Sequence, residues 1–271
     1  MDIITGEKIQ HLCDHYICTI DDLNYNPNND KSKFIDINTI DDYFDNKLNI
    51  FCYTHSLINI DMLIAKLKFM KNKFNIIFHN SDQVFISNNL RLFEIDNLIK
   101  IYTQNMHVLD SRVLPLPIGI QNKQWCNDNI SLLNEVILCE LPKTNYIYFY
   151  FDVNTNRIAR TRCFLICNNL LNIQQASKCN FKEYLYLLTT YKFCICPVGN
   201  GIDTHRFWEC LYLKVVPIVL RIPLTEYYSK FFPVVLLNDW TELSDSLLSQ
   251  KEINWDNYNM LDLSYIKIFI N

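Results

Sequence analysis

With 271 residues, 49% of them hydrophobic and 20% charged, the chain has a globular composition and the length for two compact domains. The net charge of -4, with Lys and Arg scattered along the chain, excludes the basic stripe that phosphate-backbone binding requires, so no nucleic-acid partner is expected. No run reaches the ~18 to 20 apolar residues of a membrane span, and the start MDIITGEKIQ has no basic-then-apolar leader; no membrane span and a cytoplasmic location are therefore expected.

The first 45 residues are polar, rich in Asn and Asp and weakly periodic, which predicts a peripheral extension or cap. A repeating pattern then begins. Residues 49–53 read as a buried strand ending in Thr54-His55, and 61–73 as an amphipathic helix with Leu63, Leu67 and Met70 on one face. Residues 74–78 form a second predicted strand, ending in His79-Asn80-Ser81-Asp82, and 89–97 a helix. Strands at 98–103 and 113–118 follow, ending in Gln104-Asn105 and at Gly119. The polar segment 121–143 reads as the crossover between domains.

The alternation restarts with a strand at 146–153, an Asn154-Thr155-Asn156 loop and a segment carrying Arg157, Arg160 and Arg162. Next come a helix at 181–191, a strand at 192–196, a turn at 197–204 and a helix at 205–213. Strands at 215–220 and 234–237 and a helix at 241–250 close the pattern. Short apolar strands alternating with helices imply parallel βαβ units. The expected fold is α/β, with two Rossmann-like, doubly wound domains at 46–140 and 141–271 facing a cleft. Trp125 and Trp208 are expected in the cores.

Eleven cysteines occur with no C-x-x-C spacing, so zinc and thioredoxin-like sites are not expected, and the thiols read as small apolar core residues. Glycine is scarce: there are 4, against about 19 at average usage. The abundance of Asn, Ile, Lys, Tyr and Phe points to an A/T-rich coding bias, under which a retained glycine marks a place where no side chain fits. Gly119, Gly199 and Gly201 each follow an apolar run, so chemistry is sought there.

The most specific stretch is CICPVGNGIDTHRFWECLYLKVVPIVL, residues 194–220, which reads as strand, glycine turn, helix, strand. Gly199 and Gly201, flanking Asn200, let backbone amides approach an anion. The helix that follows presents free N–H groups and a partial positive charge to it. Arg206, in the first turn, carries a fork of donors suited to a diphosphate. Glu209, three residues on, shares its face and offers acceptors suited to ribose hydroxyls. A dinucleotide fingerprint is the competing reading, but Thr204 stands at its third glycine and the next strand ends in Leu220-Arg221 rather than in an acid.

The stretch resembles the exostosin-like (family 47) glycosyltransferases, whose donor-site pattern is C-P-x-G-x-G-x-D-x-H-R-x-W-E-x-L-x-x-G-x-x-P-I-V. It is matched by Cys196, Pro197, Gly199, Gly201, Asp203, His205, Arg206, Trp208, Glu209, Leu211, Pro217, Ile218 and Val219. Lys214 stands where the pattern has its last glycine, and Val198 where the family has a basic residue. FNIIFHNSD, IYTQNM and LPLPIGIQNKQW in the first half are similar to glycosyltransferases encoded by giant DNA viruses of the mimivirus kind.

The resemblance implies a GT-B architecture and transfer of a sugar from a nucleotide-sugar donor to a hydroxyl on a glycan or other acceptor, with inversion. It implies that Arg206 contacts the donor phosphates and Glu209 the ribose. Gly199, Asn200, Gly201, Asp203 and His205 complete the expected donor site; Arg160 is a second expected phosphate contact, with Asn154 in the loop before it. His205 is expected to orient the turn.

An inverting transfer needs a base for the acceptor hydroxyl, and the candidates at strand carboxyl ends are Asp82, His79 and His55. No D-x-D triplet follows a strand, so no metal or other cofactor is expected on the diphosphate; an arginine and a helix N-terminus do that work instead. The alternative is a catalytically silent nucleotide- or sugar-binding module on the same fold.

Overall fold

A computed structural model describes residues 1–36, 48–125, 128–170, 175–249 and 251–270. The chain divides into two compact units. One comprises Asp2–Asn127 with Asp262–Asn271, the other Asp128–Leu261.

In the N-terminal unit the elements run α1 (Gly6–Leu12), β1 (His15–Cys18), α2 (Ile20–Tyr25), β2 (Phe34–Asp36), β3 (Leu48–Tyr53), α3 (Ile60–Leu67), β4 (Phe74–His79), β5 (Leu98–Thr103) and β6 (Val113–Pro115). Its six strands are parallel, in the order β2-β1-β3-β4-β5-β6. All six residues of β4 are buried. A central parallel strand is covered on both faces, which is why its sequence is a continuous apolar run. In register with it, Ile50 pairs with Ile76, and Ile76 with Ile101.

Residues 1–36 are integral to this sheet rather than a peripheral cap. β1 lies between β2 and β3, with Tyr16, Ile17 and Cys18 buried. The remainder of the expected cap lies outside the described residues. Two expected helices are also shorter or tighter than the pattern suggests. α3 ends at Leu67, where Met70 N–H donates to the Leu67 carbonyl at 3.1 Å and the chain turns, with Met70 buried beyond the helix. Residues Ser87–Glu94 form a 3-10 turn, in which Asn89, Leu92 and Ile95 are buried at a spacing of three, as three residues per turn demands.

In the C-terminal unit the elements are α4 (Asn129–Leu138), β7 (Asn145–Tyr148), α5 (Arg157–Leu170), α6 (Phe181–Leu188), β8 (Tyr191–Ile195), α7 (His205–Tyr212), β9 (Val216–Leu220), α8 (Pro223–Tyr228), β10 (Val235–Leu237) and α9 (Asp245–Ser249). The sheet is parallel, in the order β10-β9-β8-β7. Ile147, Phe193, Ile195, Val216, Ile218 and Leu237 fill its core. The expected crossover carries α4. The last expected helix divides into a 3-10 turn at Trp240–Glu242 and α9.

Only the N-terminal sheet reverses its strand order, between β1 and β3. The C-terminal sheet advances in one direction through all its described strands, so the doubly wound expectation does not hold for it. After α9 the chain does not return to the free side of β7; α10 (Leu263–Ile270) packs in the N-terminal unit instead. There Ile266 and Ile270 join Ile4, Ile9 and Tyr16, and the Tyr102 hydroxyl donates to the Phe269 carbonyl at 3.0 Å.

Gly119 serves this architecture. Its φ is +65°, and a Cβ there would stand 2.2 Å from the Ile4 carbonyl oxygen. The close approach lets Ile120 N–H donate to Ile4 O at 2.9 Å, seating the N-terminal segment. The chemistry expected at Gly119 is therefore replaced by a backbone contact. Gly119→Ala is expected to lower the unfolding free energy by at least about 2 kcal/mol, from the left-handed backbone and the clash together. A urea midpoint equal to that of the unaltered protein would refute this.

Candidate functional site

The glycine turn follows β8 and leads into α7. Gly199 N–H donates to Gly201 O at 3.0 Å, closing the turn. Asn156 Nδ2 donates to Gly199 O at 2.8 Å, and Arg160 Nε to Val198 O at 2.9 Å. The start of α5 thus packs on the turn and brings a guanidinium to the place where the family pattern has its own basic residue. A Cβ on Gly199 would lie 3.4 Å from Arg160 Nη2, so the glycine leaves that guanidinium face uncovered. Thr204 caps α7 with extended backbone and without a side-chain hydrogen bond, while its carbonyl accepts from Phe207 N–H at 3.0 Å.

Arg206 donates to the Tyr150 carbonyl, just beyond β7, and lies over the rings of Tyr184 and Tyr148 at 5.0 and 5.6 Å. Glu209 is buried, and its Oε2 accepts from the Tyr184 hydroxyl at 2.6 Å. Burial raises the Tyr184 hydroxyl well above its ordinary value, with Arg206 opposing, so it remains a proton donor to the carboxylate. Burial first, and then repulsion from Arg206, pull Arg160 below the ordinary guanidinium value. Neither guanidinium has a carboxylate within ion-pair distance among the described residues. The arrangement is two cations and a helix start at the carboxyl end of a parallel sheet, the makings of an anion site.

Not every expected donor residue belongs to this set. Asp203 is buried, accepts from Trp208 Nε1 at 2.8 Å, which ties the turn to the helix, and lines the cavity beside α7 rather than the face of Arg206 and Glu209. Asn154 is exposed on the turn before α5; Asn156 makes the contact to Gly199 instead. Asn200 is exposed at the tip and His205 is half-buried at the helix start. A cavity of about 220 Å³ opens on the other side of α7, lined by Pro197, Val198, Thr204, Phe207, Ile222 and Tyr228. Arg206 and Glu209 do not line it; they face Tyr148 and Tyr184.

In the N-terminal unit the three candidate bases separate. His79 is fully buried, with Nδ1 3.0 Å from Asn80 Oδ1 and Nε2 3.1 Å from the Pro117 carbonyl. Both neighbours are oxygen acceptors and a neutral imidazole donates to only one of them, so it is the full burial of His79, rather than its hydrogen bonds, that sets it apart from a base at the surface. Asp82 is exposed, and His79 is not its partner. His55 is different. Its ring stacks on Tyr53 at 5.5 Å, its Nε2 lies 2.8 Å from Asp22 Oδ1, and its side chain is 43% exposed. Asp22 follows β1 and His55 follows β3, so the pair spans the place where the strand order reverses. Ligands of open parallel sheets bind at such a point.

Asp22 was not legible as a site residue, because its segment reads as a cap. The signal present was Thr19-x-x-Asp22, a capping box that the structure forms. No known protein-family model matches the chain.

Trp208 is in the core as expected, but Trp125 is 62% exposed, packed against Tyr25. Among the described residues no helix is long and apolar enough to cross a membrane. The described cysteines are free thiols. Three of them, Cys194, Cys196 and Cys210, gather in one cluster, an arrangement that a search for C-x-x-C misses.

Lys214 closes α7 with φ +52°, in the left-handed region where the family pattern has glycine. Val215 N–H returns to Cys210 O at 2.8 Å across it, as a helix C-terminus of this type requires. Its ammonium lies 4.9 Å from the Tyr258 ring centre. Lys214→Gly is expected to stabilise the protein by about 0.5 to 1 kcal/mol, since relief of the backbone exceeds the loss of an exposed cation–π contact. A lower midpoint in urea would contradict it.

Proposed function

We propose that the protein is a nucleotide-sugar-dependent glycosyltransferase of the GT-B type. The observation that carries this reading is the pair Arg160 and Arg206, close enough for their charges to repel and neither in an ion pair among the described residues. Bringing two cations together costs free energy, and a bound diphosphate returns it. The fork of each guanidinium matches phosphate oxygens, and the N-terminal end of the α7 dipole points the same way. Glu209, whose carboxylate accepts from the Tyr184 hydroxyl, is the residue we propose for the ribose.

In the reaction, the acceptor oxygen attacks the anomeric carbon as the bond from that carbon to the diphosphate breaks. The negative charge passes to the diphosphate, where the arginines and the helix start stabilise it. The acceptor proton goes to His55 Nδ1, the nitrogen not held by Asp22. Asp22 fixes the ring and stabilises the imidazolium that forms. Attack from the face opposite the leaving group inverts the configuration. No divalent metal is required on the diphosphate.

Calorimetric titration with UDP-, GDP- and CMP-sugars tests the donor half. Arg206→Ala and Arg160→Ala are each expected to weaken binding at least about 10-fold, the loss of one charge-assisted contact. Unchanged affinity in both, with the fold intact, refutes the assignment.

For the acceptor half, steady-state kinetics on His55→Ala should show turnover lowered by about 100-fold or more with donor affinity unchanged. Asp82→Asn should keep turnover within a few-fold. The reverse pattern would return the base to Asp82. Activity should persist in EDTA; loss that manganese restores would overturn the metal-independent mechanism.

A further inference from the structure

Three thiols meet in the C-terminal unit, and the proposed transfer uses none of them. Cys194 lies in β8 and Cys196 just after it, two residues apart, so extended backbone turns both toward one face. Cys210 reaches the same point from α7. Cys196 Sγ is 3.7 Å from Cys194 Sγ and 3.7 Å from Cys210 Sγ, and the three sulfurs lie within 4.8 Å of one another. Two sulfurs about 2.3 Å from one metal ion, at an angle between tetrahedral and trigonal, stand about 3.7 to 4.0 Å apart. The cluster is thus already spaced for one ion.

The donor set decides which ion. Among the described residues no His, Asp or Glu joins the three thiols. Structural zinc takes four ligands, whereas soft, all-sulfur sites select copper(I), for which three are sufficient. The thiols are buried, at 0%, 4% and 0% exposure, yet Cys196 also lines the cavity beside α7, which supplies an entry path. Three thiolates and one monovalent ion carry a net charge of minus two. Arg206 is near enough for its charge to act on Cys194 and Cys196, and offsets part of it.

We propose that Cys194, Cys196 and Cys210 form a three-thiolate site for copper(I). On binding, three S–H groups release their protons to solvent, three Cu–S bonds form, and no oxidation occurs. The site shares the charge of Arg206 with the glycosyl-transfer reading, but its three ligands and its metal readout are separate from it.

The test uses the full chain, reduced with a phosphine under anaerobic conditions. It is titrated with copper(I) against bathocuproine disulfonate, a chelator that competes for the ion. One equivalent should be withdrawn from the chelator, with proton release, and X-ray absorption should show three sulfur neighbours. Cys196→Ser and Cys210→Ser should each weaken binding by about 100-fold or more. Cys163→Ser is the control. It removes a second buried thiol pair, Cys163 and Cys167, whose sulfurs are 3.9 Å apart, and should leave copper binding unchanged.

Failure to compete with the chelator overturns the proposal. So does binding lost in Cys163→Ser but kept in the other variants, or uptake of zinc with no uptake of copper(I). If the cluster variants do not fold, the absorption spectrum of the unaltered protein still decides, since two-sulfur coordination contradicts the site.

Discussion

Every strand pairing within the two sheets is parallel, and most of the chemistry described above follows from that constraint. A parallel pair cannot be joined by a tight turn; the chain must cross back over the sheet before the next strand begins. All strands of a sheet therefore end on one edge, and the segments leaving them collect there. In the N-terminal unit that edge gathers Asp22, His55, His79 and Gln104 from four different strands. In the C-terminal unit it gathers Tyr150, the glycine turn and Arg206. Polar groups tens of residues apart become neighbours, some exposed and others, such as His79 and Gln104, buried.

Within the C-terminal edge, hydrogen-bond accounting decides how the charges are used. Arg206 and Glu209 have the spacing of an intrahelical ion pair, yet each is held by another group. Tyr184 donates its hydroxyl to Glu209 at 2.6 Å, while Arg206 donates to the Tyr150 carbonyl and rests on two tyrosine rings. The rings accept the cation without cancelling its charge. The Glu209 carboxylate makes no ion pair with Arg206 but still acts on it through its charge. Arg160 reaches the same turn from α5, so the turn has cationic character although Val198 carries no charge itself.

Much of this was legible in the sequence, and the exceptions have physical causes. β4 declared itself because a strand buried on both faces needs a continuous apolar run, and FNIIFH is one. β1 did not, because its four residues, HYIC, sit inside an Asn- and Asp-rich region whose polarity comes from the loops around it. Gly119 was correctly marked as a position closed to side chains, but a carbonyl of the same chain, not a ligand, closes it. The thiol cluster was visible as C-x-C on a strand, which puts two sulfurs on one face. The third sulfur comes from the next helix, and no spacing rule along the chain announces that.

The contrast between His55 and His79 shows what sequence position alone leaves open. Both stand at the carboxyl ends of neighbouring strands, and by that criterion they are equivalent. His79 is the last residue paired within β4, opposite Tyr53, so its side chain is directed by the pleat into a fully covered layer. Once there, the ring faces two oxygen acceptors, Asn80 Oδ1 and the Pro117 carbonyl, and a neutral imidazole donates to one of them. His55 lies two residues beyond the end of β3, in a 3-10 turn, where the pleat no longer sets its direction. It stacks one face on Tyr53, gives one nitrogen to Asp22 and keeps the other unheld by that carboxylate. A shift of two residues relative to the strand end separates a histidine enclosed in the fold from one whose side chain is 43% exposed.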